Sequence, residues 1–497
     1  MRILHVAPGM TPAEDSDRAR YVWRLAEQHA ALQSAAIFTS VADPASPAGR
    51  TVVERRDGVT ICWINVPQVS WRPLEASYMS DVVEDAFRQF SHEMRSDVVH
   101  IHGFENLSVG LVDILRSKDI RTVFTPHSYW ESCPVKSRRC RNDGVVCTTV
   151  ETSKCGACIY GSGWDELLEA EEQDRHAARI EKSWSTVYRG LYEERYGRTQ
   201  GRFARRPRAK LFALRKLGVE LRRRARAQVD EMIGDPVERR MHRIGQRLRG
   251  IDLIAAPSRF MKDDLVRHFG ISPNKIMLRP LASPSSLSDT GTVAAGSGQR
   301  LGYWGPIDDD PGLCQLVESC CDLLARGREL ELHLFGRVSS EKVAGWIAAR
   351  FGDCGHPSRL IMHASQQAMT LAESMRCVDL VVEPRTSFSV PTAAMQHAAE
   401  AGVPLLVAGH SGLAEFVDDH GYGVAYSTED GTELTRELGA FCSARSEDLD
   451  RLRGARPRLR TIEHEALDYV RIYHELLYKK LQIGSEEAQG LTPETWK

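Results

Sequence analysis

The stretch Asp97-Val98-Val99-His100-Ile101-His102-Gly103 and, twenty residues on, Arg121-Thr122-Val123-Phe124-Thr125-Pro126-His127 decide the fold. Each is a short apolar run, and a helical segment over 107–115 separates them. Two such runs joined by a helix read as neighbouring parallel strands, buried on both faces. The crossover between them is right-handed, and ligands of such sheets collect at the carboxyl ends of the strands.

The same alternation extends outward. A strand is expected at 3–7, then a helix capped by Ser16 that carries Val22, Leu25, Ala26 and Leu32 on one face, then a strand at 35–39. The pattern breaks at 131 and resumes with Ile251-Asp252-Leu253-Ile254-Ala255-Ala256-Pro257-Ser258, a helix over 262–269 and a strand at 275–279. A second series follows, with strands at 301–304, 330–335, 360–364, 380–383 and 404–408 and a helix at 313–324. The chain is therefore expected to be α/β: two doubly wound Rossmann-like domains with a Cys-rich loop and a helical insertion. The N-terminal domain takes residues 1–130 and 251–283, and the loop plus insertion takes 131–250. A Ser- and Gly-rich linker takes 284–299, the C-terminal domain 300–460. A last amphipathic helix over 461–485 is expected to return to the N-terminal domain. The cleft between the domains is the default ligand site.

Composition agrees with this. The chain has 497 residues, 42% hydrophobic and 27% charged, with a formal net charge of −2, which excludes disordered, collagen-like and disulfide-dense classes. No run of 18 apolar residues occurs, so no membrane-spanning helix is expected. The start is too quickly polar for a signal peptide, giving a cytoplasmic reading. An arginine excess, 53 against 12 lysines, is what a GC-rich bacterial genome produces.

Particular strings narrow the class. They are the two already quoted, the continuation Ser128-Tyr129-Trp130-Glu131-Ser132-Cys133-Pro134, Ala256-Pro257-Ser258-Arg259-Phe260, Ala401-Gly402-Val403-Pro404 and Gly412-Leu413-Ala414-Glu415-Phe416-Val417. In this order and spacing they resemble the GT-B glycosyltransferases, in particular the retaining family-four group. The resemblance implies sugar transfer from a nucleotide-sugar, bound mainly by the C-terminal domain, to a glycan or lipid-linked acceptor, with retained anomeric configuration. It places His127 by the donor sugar and Ser411, Gly412 and Leu413 at the diphosphate, where backbone N–H groups serve an anion. Glu415 matches a family glutamate, and His102 and Trp130 join the cleft.

The chain also departs from that family. The usual pair of glutamates eight residues apart, ahead of Gly402, is absent. One register puts Ser389 and His397 there, the other Thr386 and Ala394. The Arg and Lys expected after the first C-domain strand are replaced within Gly305-Pro306-Ile307-Asp308-Asp309-Asp310, and Ala13-Glu14-Asp15-Ser16-Asp17 replaces a Gly-Gly turn. An active enzyme then needs a reorganised donor site, for which His397 is the catalytic candidate beside His127, and Gly305, Arg337 and Arg385 the phosphate candidates. The competing reading is an inactive GT-B-like scaffold or partner.

Five of twelve cysteines lie between 133 and 158. Cys133, Cys147 and the Cys155-x-x-Cys158 pair have the form of a tetrathiolate site, with Cys140 spare. Structural zinc is the expected occupant, an iron–sulfur cluster the alternative metal, and disulfides or free thiols the metal-free reading. Residues 195–226 hold 13 Arg or Lys and one acid, a local charge of +12. With Leu211, Leu214 and Leu221 along one face, this arm reads as a contact for an anionic membrane surface. The alternative is a hairpin partner for the acidic run 165–174. Few aromatics interleave, so no nucleic acid is expected.

Overall fold

The structure is a computed structural model that describes residues 1–10, 16–43, 45–66, 74–133, 147, 149–160, 235–283, 299–363, 371–385, 390–409, 412–444 and 459–489. The N-terminal domain runs β1 (Arg2–Ala7), α1 (Asp17–Leu32), β2 (Ser34–Val41), β3 (Thr51–Arg56), β4 (Val59–Asn65), α2 (Asp81–Met94), β5 (Val98–Ile101), α3 (Leu111–Ser117), β6 (Arg121–Phe124), α4 (Thr152–Tyr160), α5 (Pro236–Leu248), β7 (Leu253–Ala256), α6 (Arg259–Phe269) and β8 (Ile276–Leu278). Its eight strands are ordered β3-β4-β2-β1-β5-β6-β7-β8, and all pair in parallel except β3 with β4.

The C-terminal domain runs β9 (Arg300–Trp304), α7 (Pro311–Ala325), β10 (Glu331–Phe335), α8 (Glu341–Asp353), β11 (Leu360–His363), α9 (Leu371–Met375), β12 (Leu380–Glu383), α10 (Ala393–Ala401), β13 (Leu405–Ala408), α11 (Gly412–His420), β14 (Gly423–Tyr426) and α12 (Glu433–Ser443). Its six strands pair in parallel in the order β11-β10-β9-β12-β13-β14. Two doubly wound sheets of this kind are the GT-B arrangement that the motifs imply.

Local chemistry explains the elements. Central strands such as β5 and β12 are buried at every position, which is why they read as unbroken apolar runs. Helices begin where an oxygen can accept an orphan N–H: Ser16 for α1, Ser258 for α6 and Thr392 for α10. The helix expected over 107–115 starts only at Leu111, because residues before it turn through Asn106 at φ 54°. The antiparallel pair β3–β4 was not foreseen. Every residue of β3 is exposed, so it carries no apolar run, and the pair turns at Asp57-Gly58 with φ of 48° and 82°.

The last helix, α13 (Ile462–Gln489), packs on α1 and the first sheet. Tyr21 Oη donates to Glu465 Oε1 at 3.0 Å, and Arg279 pairs with both Glu465 and Asp468. Tyr469 and Tyr473 of α13 are fully buried. The linker (apart from Gln299), the basic arm 195–226, the acidic run 165–174 and Cys140 lie outside the described residues.

Candidate functional site

Strand order reverses at β1/β5 in the first sheet and at β9/β12 in the second. These are the topological switch points, where a doubly wound sheet opens a crevice. The first crevice is closed by Pro8-Gly9 after β1, His102-Gly103 after β5 and His127 after β6. The second is closed by Gly305 after β9 and Arg385 after β12.

On the N-terminal wall, Arg18 of α1 donates to Pro8 O at 3.2 Å and pairs with Glu105 at 3.6 Å. His127 is half-buried beside it. Behind His127 runs a row of imidazoles. His102 Nδ1 and His127 Nε2 are hydrogen-bonded at 3.2 Å, His5 Nδ1 and His102 Nε2 at 3.0 Å, and His5 Nε2 and His29 Nδ1 at 2.9 Å. His29 Nε2 meets the Ala466 carbonyl of α13 at 3.2 Å. His100 stands alongside, bonded to Tyr473 Oη and Thr125 Oγ1. Burial, reinforced by neighbouring rings, holds His5 and His102 well below the ordinary imidazole range. Burial brings His29 down to about 4, and burial with the Arg18 charge brings His127 down to about 3. The whole row is neutral at physiological pH.

Ligand atoms of His5, His100 and His102 lie within 4.8 Å of one another, the spacing a metal would need. All six of their ring nitrogens already have protein partners, however. His5 and His102 hold each other, while Tyr473 and Thr125 hold His100, so the hydrogen bonding of the three rings is complete as it stands.

His102 and Trp130 were expected to open onto the cleft. Both are buried. His102 touches the cleft only through His127. Trp130 is clamped by the fully buried Arg240 of α5, whose guanidinium lies 4.4 Å over the ring and donates to Trp130 O at 2.6 Å and Glu131 O at 2.9 Å. Glu131 is buried, and that burial raises its carboxyl to about 7.

On the C-terminal wall, Arg385 supplies the cation. Its Nε pairs with Glu383 Oε1 at 3.4 Å, and Nη2 donates to Tyr303 Oη and Trp304 O, both at 3.4 Å. Burial is the largest single influence and opposes its charge, but Glu383, Tyr303 and Asp310 together outweigh it and hold the guanidinium above its ordinary value. A Cβ on Gly305 would sit 1.7 Å from Arg385 Nη2, so the guanidinium fits only because this residue is glycine. Asp310, one of the three consecutive acids, turns inward to cap α7 at Gly312 N, 2.9 Å away.

The remaining candidates divide. Arg337 is exposed just beyond β10, and its carbonyl accepts the N–H of Ile307. Gly412 and Leu413 are buried at the start of α11, and Ser411 lies outside the described residues. Glu415 points to the other domain: its carboxylate accepts the N–H of Arg259 at 2.7 Å and of Phe260 at 2.5 Å, capping α6. Asp17 of α1 does the reverse and accepts Ala393 N of α10 at 2.9 Å. His397 is tied to its own helix through Ala393 O and sits near the charges of Arg20 and Asp17, so it belongs to this domain junction. A cavity of about 150 Å³ beside the junction is bounded by Ser258, Pro280, Pro391 and Phe416.

Cys155 packs against the N-terminal core, and burial pushes its thiol up to about 12 with the charges of Cys133, Cys147 and Cys158 adding to the effect. The four cysteines thus gather around Cys155. Among the described residues no three of their sulfurs come within 4.8 Å of one another.

Sequence reasoning missed His5, His29, Arg18 and Glu131 as parts of the N-terminal wall, and Glu383 as the partner of Arg385. The one available signal was position, since Arg18 falls at a helix start and Glu383 at a strand end, whereas Glu131 lies in the segment beyond β6 and carried no such mark.

Two facing doubly wound sheets with a shared cleft define the class: the chain has the GT-B fold. Residues 19–146 match the family described as Glycosyl transferase 4-like domain. Solved structures agree over nearly the whole chain. A sucrose-phosphate synthase from Thermosynechococcus elongatus superposes with a TM-score of 0.57 at 14% identity, covering 96% of this chain and 100% of that one. A glycosyltransferase from Rickettsia africae gives 0.54 at 11% identity, covering 96% and 98%. Anabaena HepE, solved in complex with UDP and glucose, gives 0.51 at 11% identity, covering 98% and 100%. No curated protein matches the sequence.

Proposed function

We propose that this chain transfers a sugar from a nucleotide-sugar to a glycan or lipid-linked acceptor, with retained configuration. The observation that carries the reading is Arg385, a cation at the second switch point, standing where a diphosphate needs one despite the loss of the usual pair. Arg385 would take the leaving diphosphate together with the N–H groups that open α11 at Gly412 and Leu413, and Ser411 would join them from the sequence just before. Arg337 would add charge from the rim, and Gly305 gives a phosphate close access to the backbone. His127 would hold a sugar hydroxyl from the opposite wall. Glu415 and His397 act on domain closure in this reading. The HepE complex, which holds UDP and glucose, supports a nucleotide-sugar as the substrate class.

Cys133, Cys147, Cys155 and Cys158 would hold a structural zinc, with modest sulfur movements around Cys155. Elemental analysis should find one zinc per chain. A zinc-free, iron-free protein would defeat that assignment. The +12 arm would hold the enzyme on an anionic membrane, and flotation with anionic vesicles should weaken as salt rises.

The test of function is a binding panel of nucleotides and nucleotide-sugars read by thermal shift. Stabilisation by a nucleoside diphosphate, lost in Arg385→Ala, is expected. Stabilisation by none would favour the inactive scaffold.

A further inference from the structure

The imidazole row has a direction. The Ala466 carbonyl can only accept, so a neutral His29 must carry its proton on Nε2 and leave Nδ1 bare. His5 must then donate from Nε2 and keep Nδ1 bare, because its Nε2 faces the bare His29 Nδ1. The same step repeats at His102, whose Nε2 faces His5 Nδ1, and at His127, whose Nε2 faces His102 Nδ1. Each link has one nitrogen facing one nitrogen at 2.9–3.2 Å, so a single wrong tautomer would set two N–H groups or two lone pairs against each other. His5, His29 and His102 are wholly buried, so no water can repair such a fault. Of the eight ring nitrogens in the row, His127 Nδ1 alone has no partner among the described residues.

We propose that the Ala466 backbone carbonyl, acting through His29, His5 and His102, fixes the tautomer of His127 so that it offers the cleft a bare Nδ1 acceptor. His5, His29 and His102 are positioning residues, and α13 is the element that sets the polarity. The acceptor selects a ligand hydroxyl, such as one on a sugar ring, and turns away phosphate and carbonyl oxygens, which have no proton to give. That last step rests on the donor-cleft reading, whereas the tautomer order does not. Burial supports the order by keeping the rings uncharged, since a protonated ring would break the alternation.

The experiment is a two-bond proton–nitrogen correlation spectrum of the full chain labelled with 15N-histidine, recorded at neutral pH. All four rings are expected as single Nε2–H tautomers, His127 with a bare Nδ1. An Nδ1–H tautomer at His127, or a charged ring in the row, would overturn the proposal. The variant His5→Phe cuts the row, and the one-tautomer signal of His127 should be lost. A folded His5→Phe with an unchanged His127 signal would also overturn it, and the wild-type spectrum decides alone if the variant does not fold. UDP-glucose is then added. A shift of the His127 Nδ1 signal without a tautomer change supports the ligand step. No shift with the tautomer order intact counts against the donor-cleft reading and leaves the relay standing.

Discussion

The two walls of the cleft are built on opposite principles. The N-terminal wall is a row of neutral imidazoles whose hydrogen bonds reach 3.0 Å or so and whose far end is anchored in α13. The C-terminal wall rests on one ion pair, Glu383 with Arg385, set across a glycine. A buried row of neutral rings, hydrogen-bonded at every nitrogen but the one at its cleft end, tolerates burial at little electrostatic cost, whereas a buried ion pair depends on both partners being present. The first wall is therefore expected to be robust in charge and sensitive in geometry, and the second the reverse.

Removing Arg385 breaks this comparison most severely. Glu383 Oε1 accepts no hydrogen bond among the described residues, so Arg385→Ala leaves a buried carboxylate with no counter-charge. The loss should be about 3 kcal/mol of stability in urea unfolding at pH 8, together with nucleotide affinity. The double variant Glu383→Gln with Arg385→Met should recover most of the stability and none of the affinity. A stable single variant would show that the pair is not what holds this wall.

On the other side, Glu131 is the group that violates neutrality as pH rises. Its folded carboxyl titrates near 7, above the ordinary value of about 4.3. Between those values the folded chain binds the proton and the unfolded chain does not, so this group makes stability fall as pH rises from about 4.3 to about 7. Glu131→Gln should thus match the wild type at pH 4 and exceed it by roughly 3 kcal/mol at pH 8. A difference between the two that does not change with pH would contradict the assignment.

Gly305→Ala sharpens the comparison at smaller cost. The new methyl would meet the far end of the Arg385 side chain and the buried Tyr303 hydroxyl, 2.6 Å away, and no backbone atom so closely. The guanidinium should swing aside, costing about 1 kcal/mol in stability, and nucleotide affinity should fall more than stability does. Calorimetric titration beside thermal unfolding separates the two.

The fold was legible because parallel strands are buried on both faces. Val98–Ile101 and Leu380–Glu383 announce themselves as apolar runs, and His127 and Arg385 are found simply by following such runs to their ends. The exposed strand Thr51–Arg56 carries no such mark. The imidazole row was not legible for a different reason. His5 lies 24 residues from His29 and 97 from His102, inside apolar elements, and only the sheet order brings them together. Glu415 shows the limit of motif reading. Its residue type and helix position match the family, yet its carboxylate serves a helix of the other domain.

That exchange of carboxylates is where the two walls meet. Glu415 caps α6 across the cleft, and Asp17 caps α10 in return. Each places a negative charge at a helix start, where the dipole and the orphan N–H groups favour it. An arriving ligand anion would compete for the same kind of position. Asp17→Ala should therefore cost only about 1 kcal/mol in stability, because the carboxylate is partly exposed and also serves Arg20. Its larger effect should be on domain closure: small-angle scattering of the ligand-free variant should show a more open chain. Glu415→Ala should do the same, and the two together should open it further, because each cap holds a different helix. If scattering is unchanged in the double variant, the caps follow closure and do not hold it.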